Sequence, residues 1–134
     1  MIKKTITYTD YNGNERTEDH YFDLSKAEIM EMQLSVNGGF DAMLQSIIDA
    51  KDVPALAKLF KEIIFKSYGK KHPDGIQFEK SEEISRRFSQ TGAYSELYME
   101  LCTDAKAAAE FVNGIIPKGL AEEVAAKAKQ TEQA

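Results

Sequence analysis

The sequence DVPALAKLFKEIIFKSYG, residues 52–69, predicts a long amphipathic helix. Its apolar residues recur at i, i+3, i+4, i+7 and i+8, the spacing that places side chains on one helical face. They are Leu56, Leu59, Phe60, Ile63 and Ile64. Pro54 suits the first turn, because the amide hydrogen that proline lacks would have no helical partner there, and Gly69 favours an end to the helix. The apolar face needs a core, which the rest of the chain must supply.

The first 23 residues predict a β-hairpin. Ile2, Ile6 and Tyr8 alternate with polar residues, as expected of a half-buried strand. Residues 12–14, Asn-Gly-Asn, favour a turn, and the alternation then resumes up to Phe22. Two strands alone are only marginally stable, so the apolar side of the hairpin is expected to pack on the helices that follow.

Two helices are predicted between the hairpin and residue 52. Ser25 and Glu28 have the spacing of a capping box, in which each side chain accepts a hydrogen bond from the backbone amide of the other residue. The helix that begins there is expected to stop at residues 37–39, Asn-Gly-Gly. A second helix is predicted by an apolar stripe with the helical spacing, formed by Phe40, Met43, Leu44, Ile47 and Ile48.

Three more helices are predicted after a polar turn at residues 70–75 and a short extended piece at 76–78. Ser81 can cap the first of them, which runs through Phe88. The second carries an apolar stripe of Tyr94, Leu97, Tyr98, Leu101 and Cys102. The last has one apolar side and is expected to close at residues 113–114, Asn-Gly; that side consists of Ala105, Ala108, Ala109 and Val112.

These elements predict a single α+β domain, mainly α, over residues 1–117. A hairpin at residues 1–23 packs on a bundle of about six short helices at residues 25–117, and a chain of 134 residues suits one core of this size. Residues 118–134 are mostly Ala, Glu, Lys and Gln, so a flexible or frayed helical tail is expected there.

Charge and composition exclude several classes of function. The chain has 22 acidic and 17 basic residues and a net charge of −5, which repels a nucleic-acid backbone. A single cysteine cannot form an internal disulfide, and the first residues lack the apolar segment of a signal peptide. No apolar stretch approaches the roughly 20 residues that span a bilayer. We therefore expect a cytoplasmic protein that binds neither nucleic acid nor membrane.

The sequence contains no recognisable catalytic, cofactor or metal site. His20 and His72 lack the neighbouring ligands of a zinc site, so His20 is expected to be an ordinary surface or edge histidine. Cys102 is expected to pack in the core, because it falls on an apolar stripe and a nucleophilic cysteine needs a nearby base. Glu79, Glu82 and Glu83 serve the start of a helix more simply than they bind an ion. A protein that binds rather than catalyses is predicted.

Basic and aromatic residues in the middle of the chain are the candidates for partner binding. The basic ones either form a patch for an acidic partner or a solvated helix face, and both alternatives stay open; they are Lys58, Lys61, Lys66, Lys70, Lys71, Arg86 and Arg87. The predicted partner-binding residues are Tyr68, Phe78, Arg86, Arg87, Tyr94 and Met99. The methionines can line an adaptable groove, although methionine on an apolar stripe is usually core filler; they are Met30, Met32, Met43 and Met99.

Six segments are notable for their order and spacing: Thr5-Ile6-Thr7-Tyr8-Thr9-Asp10, Phe22-Asp23-Leu24-Ser25-Lys26-Ala27-Glu28, Ser67-Tyr68-Gly69, Phe78-Glu79-Lys80-Ser81, Ala93-Tyr94-Ser95-Glu96-Leu97 and Phe111-Val112-Asn113-Gly114-Ile115-Ile116-Pro117. Together they resemble the tail assembly chaperones of bacteriophages with long, non-contractile tails, which are encoded just before the tape-measure gene. The resemblance covers most of the chain. It rests on the ensemble of segments, because none of them is diagnostic alone.

The resemblance implies a small helical protein of a phage or prophage that binds the apolar-rich tape-measure protein and keeps it soluble while the tail tube polymerises. It implies action in the bacterial cytoplasm and absence from the mature virion. The tail tube protein and a longer, frameshifted form of the chain are further implied partners, and self-association is an open alternative. Three other functions also remain open: a virion component of the tail or head-tail connector, a host-directed regulator or inhibitor, and, as the weakest, an enzyme.

Overall fold

The computed structural model describes residues 1–35, 38–39, 42–43, 46 and 49–115. Within them the chain forms four strands and five helices. In chain order these are β1 (Ile2–Thr9), β2 (Glu15–Phe22), α1 (Lys26–Leu34), α2 (Val53–Ser67), β3 (Tyr68–Lys71), β4 (Phe78–Glu79), α3 (Glu82–Ser89), α4 (Gly92–Thr103) and α5 (Ala105–Ile115).

The strands form one antiparallel sheet in the order β1-β2-β3-β4. The predicted hairpin is present, with Ile2 opposite Phe22 and a turn in which Gly13 has a φ of +82°. The sheet is larger than this hairpin, however, so the prediction of two strands alone was wrong. Strand β3 pairs with β2, placing Tyr68 opposite Phe22. As a result the end of β2, at Tyr21 and Phe22, has a strand on both sides.

The chain turns directly from α2 into β3, where a polar turn had been predicted. Gly69 makes this reversal feasible, because a Cβ at that position would lie 2.8 Å from the backbone oxygen of Glu79 in β4. The two lysines that follow, Lys70 and Lys71, are exposed strand residues paired with Glu79 and Phe78. Apolar and polar residues do not alternate along this short strand, so there was no reason to predict a strand there from the sequence.

The core lies between the inner face of the sheet and the helices. Ile6 and Phe22 are buried on the sheet, as predicted from the alternation in the hairpin. Phe88 of α3 lies against both Phe22, at 5.9 Å between ring centroids, and Tyr68, at 4.0 Å with nearly parallel rings. Such aromatic pairs add to the stabilisation that burial gives. These ring contacts therefore connect β2, β3 and α3 at the edge of the core.

Helix starts follow the predicted capping chemistry. Ser25 and Glu28 form both hydrogen bonds of the capping box, at 3.2 Å and 3.0 Å. Ser81 caps α3 by accepting a hydrogen bond from the Ile84 amide. Helix α2 begins after Asp52, which caps it, and has Pro54 in its first turn. The local signals in the sequence therefore set these boundaries.

The last helix differs from its prediction. Helix α5 continues through Gly114 to Ile115, and its buried residues include Phe111 and Ile115, whereas Ala105 and Ala109 are exposed. Gly114 does not end the helix; it allows a close approach, because a Cβ there would lie 2.9 Å from Cδ1 of Ile2. The predicted face was partly right, because Ala108 is buried and Val112 packs against the core, but the larger Phe111 and Ile115 turn the buried side away from Ala105 and Ala109.

Cys102 is exposed, so the prediction that it packs in the core was also wrong. The buried residues of α4 are Ala93, Leu97 and Leu101, which lie one helical turn apart. Cys102 follows the last of them by one residue, a rotation of about 100° around the helix axis. That rotation turns its side chain away from the core.

The prediction of about six helices is not matched among the described residues, which contain five. The second predicted helix carries Phe40, Leu44, Ile47 and Ile48, and these four residues lie outside the described part of the chain. Met43, which is described, packs against the core. The predicted tail at residues 118–134 also lies outside the described residues.

Candidate partner-binding cleft

The C-terminal turn of α2 anchors the segments around it. The last backbone carbonyls of any helix lack a partner inside that helix. Here the carbonyl of Phe65 accepts a hydrogen bond from Ser85 Oγ at 2.7 Å, and the carbonyl of Ser67 accepts one from the Asp23 amide at 2.8 Å. Ser85 belongs to α3 and Asp23 precedes α1. Both helices are therefore fixed against the end of α2.

Lys80 adds a third connection at the same place. Its Nζ donates hydrogen bonds to the Lys66 carbonyl at 3.1 Å, the Asp23 carbonyl at 2.7 Å and Glu28 Oε1 at 2.6 Å. A cation is favoured at the C-terminus of a helix, where carbonyl dipoles point outward. Partial burial raises the pKa of Glu28, but hydrogen bonds from Lys80 and Ser25 outweigh it, and the pKa lies below its ordinary value. One side chain thus joins α1, α2 and the segment before α3.

An open cleft of about 580 Å³ lies between α2 and α3, lined by Phe65 and Lys66 from α2 and by Arg86 from α3. Phe65 and Lys66 also line a second depression of about 350 Å³, which continues along α2 to Lys58 and Lys61. The two depressions are contiguous because they share these two residues. We call the surface formed by Lys58, Lys61, Phe65, Lys66 and Arg86 the basic cleft.

The charge of this surface is opposite to that of the chain. Its four basic residues are accompanied in the lining by Lys80 and by three acidic residues, Glu28, Glu62 and Glu82. Lys80 and Glu28 neutralise each other in their ion pair. The remaining side chains carry an excess of positive charge, although the net charge of the protein is −5.

The three lysines of the basic cleft are available to an incoming group. Among the residues that the structure describes, none of Lys58, Lys61 and Lys66 forms an ion pair. Arg86 differs from them, because it bonds to Glu83 at 2.6 Å on its own helix. An exposed pair of this kind contributes little to stability and is easily exchanged for another partner.

Phe65 is the aromatic residue of the basic cleft. Its half-buried ring meets Tyr94 edge-on at 5.9 Å between centroids, and Lys61 Nζ lies 5.7 Å from its centroid. An ammonium group at this distance from a ring is attracted to its face. Phe65 was not among the predicted partner-binding residues, because it falls outside the buried stripe. The available signal was an aromatic residue on the lysine-rich side of an amphipathic helix.

Two of the six predicted partner-binding residues are brought to this surface. Arg86 lines the cleft, and Tyr94 supports the ring of Phe65 from α4. The adjacent Arg87 does not line it, although it also bonds to Glu83, at 2.9 Å. Arg86 and Arg87 are thus chemically alike and differently placed.

The other three predicted residues lie apart from the basic cleft. Tyr68 is half-buried and stacks on Phe88. Phe78 is half-buried in β4, where Lys80 Nζ lies 5.7 Å from its ring centroid. Met99 is exposed on α4, with 57% of its surface accessible. The structure does not join these residues into one surface with Arg86.

The structure also divides the basic residues that the sequence grouped together. Lys58, Lys61, Lys66 and Arg86 are adjacent in the fold, whereas β3 carries Lys70 and Lys71 outside the cleft lining. Of the methionines, Met32 and Met43 pack against the core, as expected of filler residues.

His20 is not the surface histidine that was predicted, because it is only partly exposed. It lies on β2, one residue before the two that pair with β3, with its ring 5.1 Å from that of Phe88 and 6.1 Å from that of Tyr68. Its Nε2 is buried and has no hydrogen-bond partner among the described residues. Burial lowers the pKa of His20, although the nearby carboxylates of Glu18 and Asp19 act in the opposite direction. The histidine is consequently favoured in its neutral form.

Two other kinds of feature are absent from the described residues. No group of three histidine, cysteine or carboxylate side chains in this part of the chain is placed to hold a metal ion. No described helix combines the length and apolarity needed to cross a membrane.

Comparison with known proteins gave one match. No curated protein and no solved structure is significantly similar to the chain. A family model described as phage tail assembly chaperone, in contrast, matches residues 1–134, which confirms the resemblance found in the sequence. The protein therefore belongs to the phage tail assembly chaperone family.

Proposed function

We propose that the protein binds the tape-measure protein of the phage or prophage that encodes it, and keeps that protein soluble in the host cytoplasm while the tail tube assembles. The observation that carries this proposal is the family match over the whole chain. The proposed action is binding alone, without catalysis or a cofactor.

The structure offers a physical route to such binding. A long helical protein with apolar stripes aggregates unless another surface covers those stripes. Helices are commonly recognised by grooves that take their apolar side chains and pair with their flanking charges. An open cleft with an aromatic residue among lysines has these properties. It supports a partner protein more than a small molecule, for which an enclosed apolar pocket is typical.

Co-expression tests the proposal directly. The tape-measure protein from the same genome is produced in bacteria with and without this protein, and the soluble fraction of each culture is measured. We expect a larger soluble fraction with the chaperone and recovery of both proteins as one complex. An unchanged soluble fraction, with no complex, contradicts the proposed function.

Purified phage particles distinguish the proposal from a structural role. A chaperone that leaves before the tail is complete should be absent from mature particles when their proteins are measured by mass spectrometry. A virion component of the tail or connector should be present at a fixed ratio to the other structural proteins. A host-directed regulator should instead bind a host protein in preference to the tape-measure protein.

A further inference from the structure

We propose that the basic cleft is the surface that holds the partner, and that its ligand is an amphipathic helix whose apolar stripe is flanked by aspartate or glutamate. This inference rests on the proposed function and adds to it the binding surface and the chemistry of the bound segment.

The local charge determines the class of ligand. Lys58, Lys61 and Lys66 form no ion pair with any described residue and lie within one contiguous surface. The protein as a whole carries a charge of −5 and repels an acidic partner at long range. The positive excess at the cleft must therefore select the acidic segment locally, where opposite charges come within a Debye length of about 10 Å.

The side chain of Phe65 is the reason to expect an apolar stripe on the bound segment. Its ring is half-buried among the cationic side chains of the cleft, with Lys61 at 5.7 Å. Aromatic residues in this setting serve as anchors for apolar side chains, while surrounding charges set orientation. An acidic segment without an apolar stripe would leave this ring uncovered.

Backbone bonding favours a helix over an extended strand as the ligand. An added strand requires free amides and carbonyls along a sheet edge. The walls of the cleft are helices, and the end carbonyls of α2 at Phe65 and Lys66 are already bonded to Ser85 and Lys80. Recognition by side chains is therefore the mode that this surface offers.

The walls of the cleft are held in place before any ligand arrives. Ser85 fixes α3 to α2 through the Phe65 carbonyl, and Lys80 fixes the segment before α3 through the Lys66 carbonyl. A preformed surface loses little conformational freedom on binding. Recognition should then depend mainly on the charges and on the ring of Phe65.

The test is a set of overlapping peptides that covers the tape-measure sequence, titrated against the purified full-length protein. The double charge reversal Lys58→Glu with Lys61→Glu should raise the dissociation constant of the most tightly bound peptide by about tenfold or more. The matched control is Lys70→Glu with Lys71→Glu, which makes the same change of charge on β3 and should alter the constant by less than about twofold. Melting temperatures of all variants establish that folding is intact.

A finer pair of variants uses neighbouring residues of one helix. Arg86→Glu removes a cleft residue and Arg87→Glu removes an exposed residue outside the lining, and both side chains bond to Glu83. We expect Arg86→Glu to weaken binding more than Arg87→Glu does. The affinity of the unaltered protein should also fall as salt rises, because screening weakens pairs of exposed charges.

The outcomes separate the two proposals. If the tape-measure protein binds and the cleft variants bind it equally well, the inference is wrong and the proposed function stands. If no tape-measure segment binds the unaltered protein, both are wrong. If the cleft variants change only the oligomeric state measured by light scattering, the surface belongs to a second copy of this chain, which also overturns the inference.

Discussion

The two faces of α2 differ in burial and in chemistry. The inner face carries Leu59, Phe60, Ile63 and Ile64, all buried at the helical spacing. The outer face carries lysines and, among them, the ring of Phe65. The inner face is buried in the core, whereas the outer face exposes its lysines. We therefore expect substitutions on the inner face to change mainly stability, and substitutions on the outer face to change mainly the proposed binding.

The largest expected effect is on the inner face. Ile64 has no accessible surface, so Ile64→Ala should leave a cavity and lower the free energy of unfolding by about 2–5 kcal/mol. Denaturant titration measures this loss. The smaller change Ile64→Val should cost about 0.5–1.5 kcal/mol. Equal effects of the two variants would show that the inner face is not closely packed.

The next largest effect is expected where the end of α2 is held. Lys80→Met should lower the free energy of unfolding by about 1–3 kcal/mol, because the carbonyls of Asp23 and Lys66 lose a donor and Glu28 loses its ion pair. Lys66→Met is the control, since its amine forms no ion pair with another described residue. Chemical unfolding of both variants gives the comparison, and similar losses would contradict the proposed role of Lys80.

A smaller effect is expected from His20 as the pH falls. Burial holds the pKa of His20 below its ordinary value of 6.5, so the unfolded chain binds a proton more readily than the folded one. The contribution of neutral His20 to stability is present above about pH 6.5 and is lost as the pH falls through the lowered pKa of the folded state. The slope cannot exceed about 1.4 kcal/mol per pH unit.

His20→Gln should reduce the dependence of unfolding free energy on pH between about pH 7 and 5. His72→Gln is the comparison, because His72 lies in the connection between β3 and β4, where its Nε2 is 3.6 Å from Glu79 Oε2 and does not face the core. Thermal unfolding across this pH range measures both. An unchanged pH profile in His20→Gln would show that the buried environment of His20 does not bear on stability.

The smallest effect on stability is expected on the outer face. Lys61→Glu should change the free energy of unfolding by less than about 1 kcal/mol, because the residue is exposed, forms no ion pair with a described residue and loses only its contact with the Phe65 ring. The same denaturant titration as for Ile64 measures it. A loss as large as that of Ile64→Ala would mean that the two faces of α2 are not separate in function.

Local rules predicted much of the fold. The capping box at Ser25, the turn at Gly13 and the buried stripe of α2 each depend on neighbouring residues, so they could be found in the sequence. Strand β3 could not be predicted in this way. It is held by pairing with β2, which is distant in sequence, and by the close approach of Gly69 to β4, and its own residues show no apolar alternation.

The candidate site was predicted only in part for the same reason. The basic residues of α2 were recognised by their composition, but their division from Lys70 and Lys71 depends on where the helix ends and the sheet begins. Arg86 and Phe65 line the same cleft because α3 is attached to the end of α2, where Ser85 bonds to the Phe65 carbonyl. Contacts between elements that are distant in the chain produce no regular residue spacing from which they could be predicted.

The exposure of Cys102 has a practical consequence for measuring self-association. The chain has one cysteine, and its thiol lies on the accessible side of α4. Oxidation in air can join two chains through this atom, and the crosslinking must stop there because no second thiol remains. A covalent dimer on a gel without reductant would therefore report a storage artefact, whereas a dimer that persists with reductant reflects real association between copies.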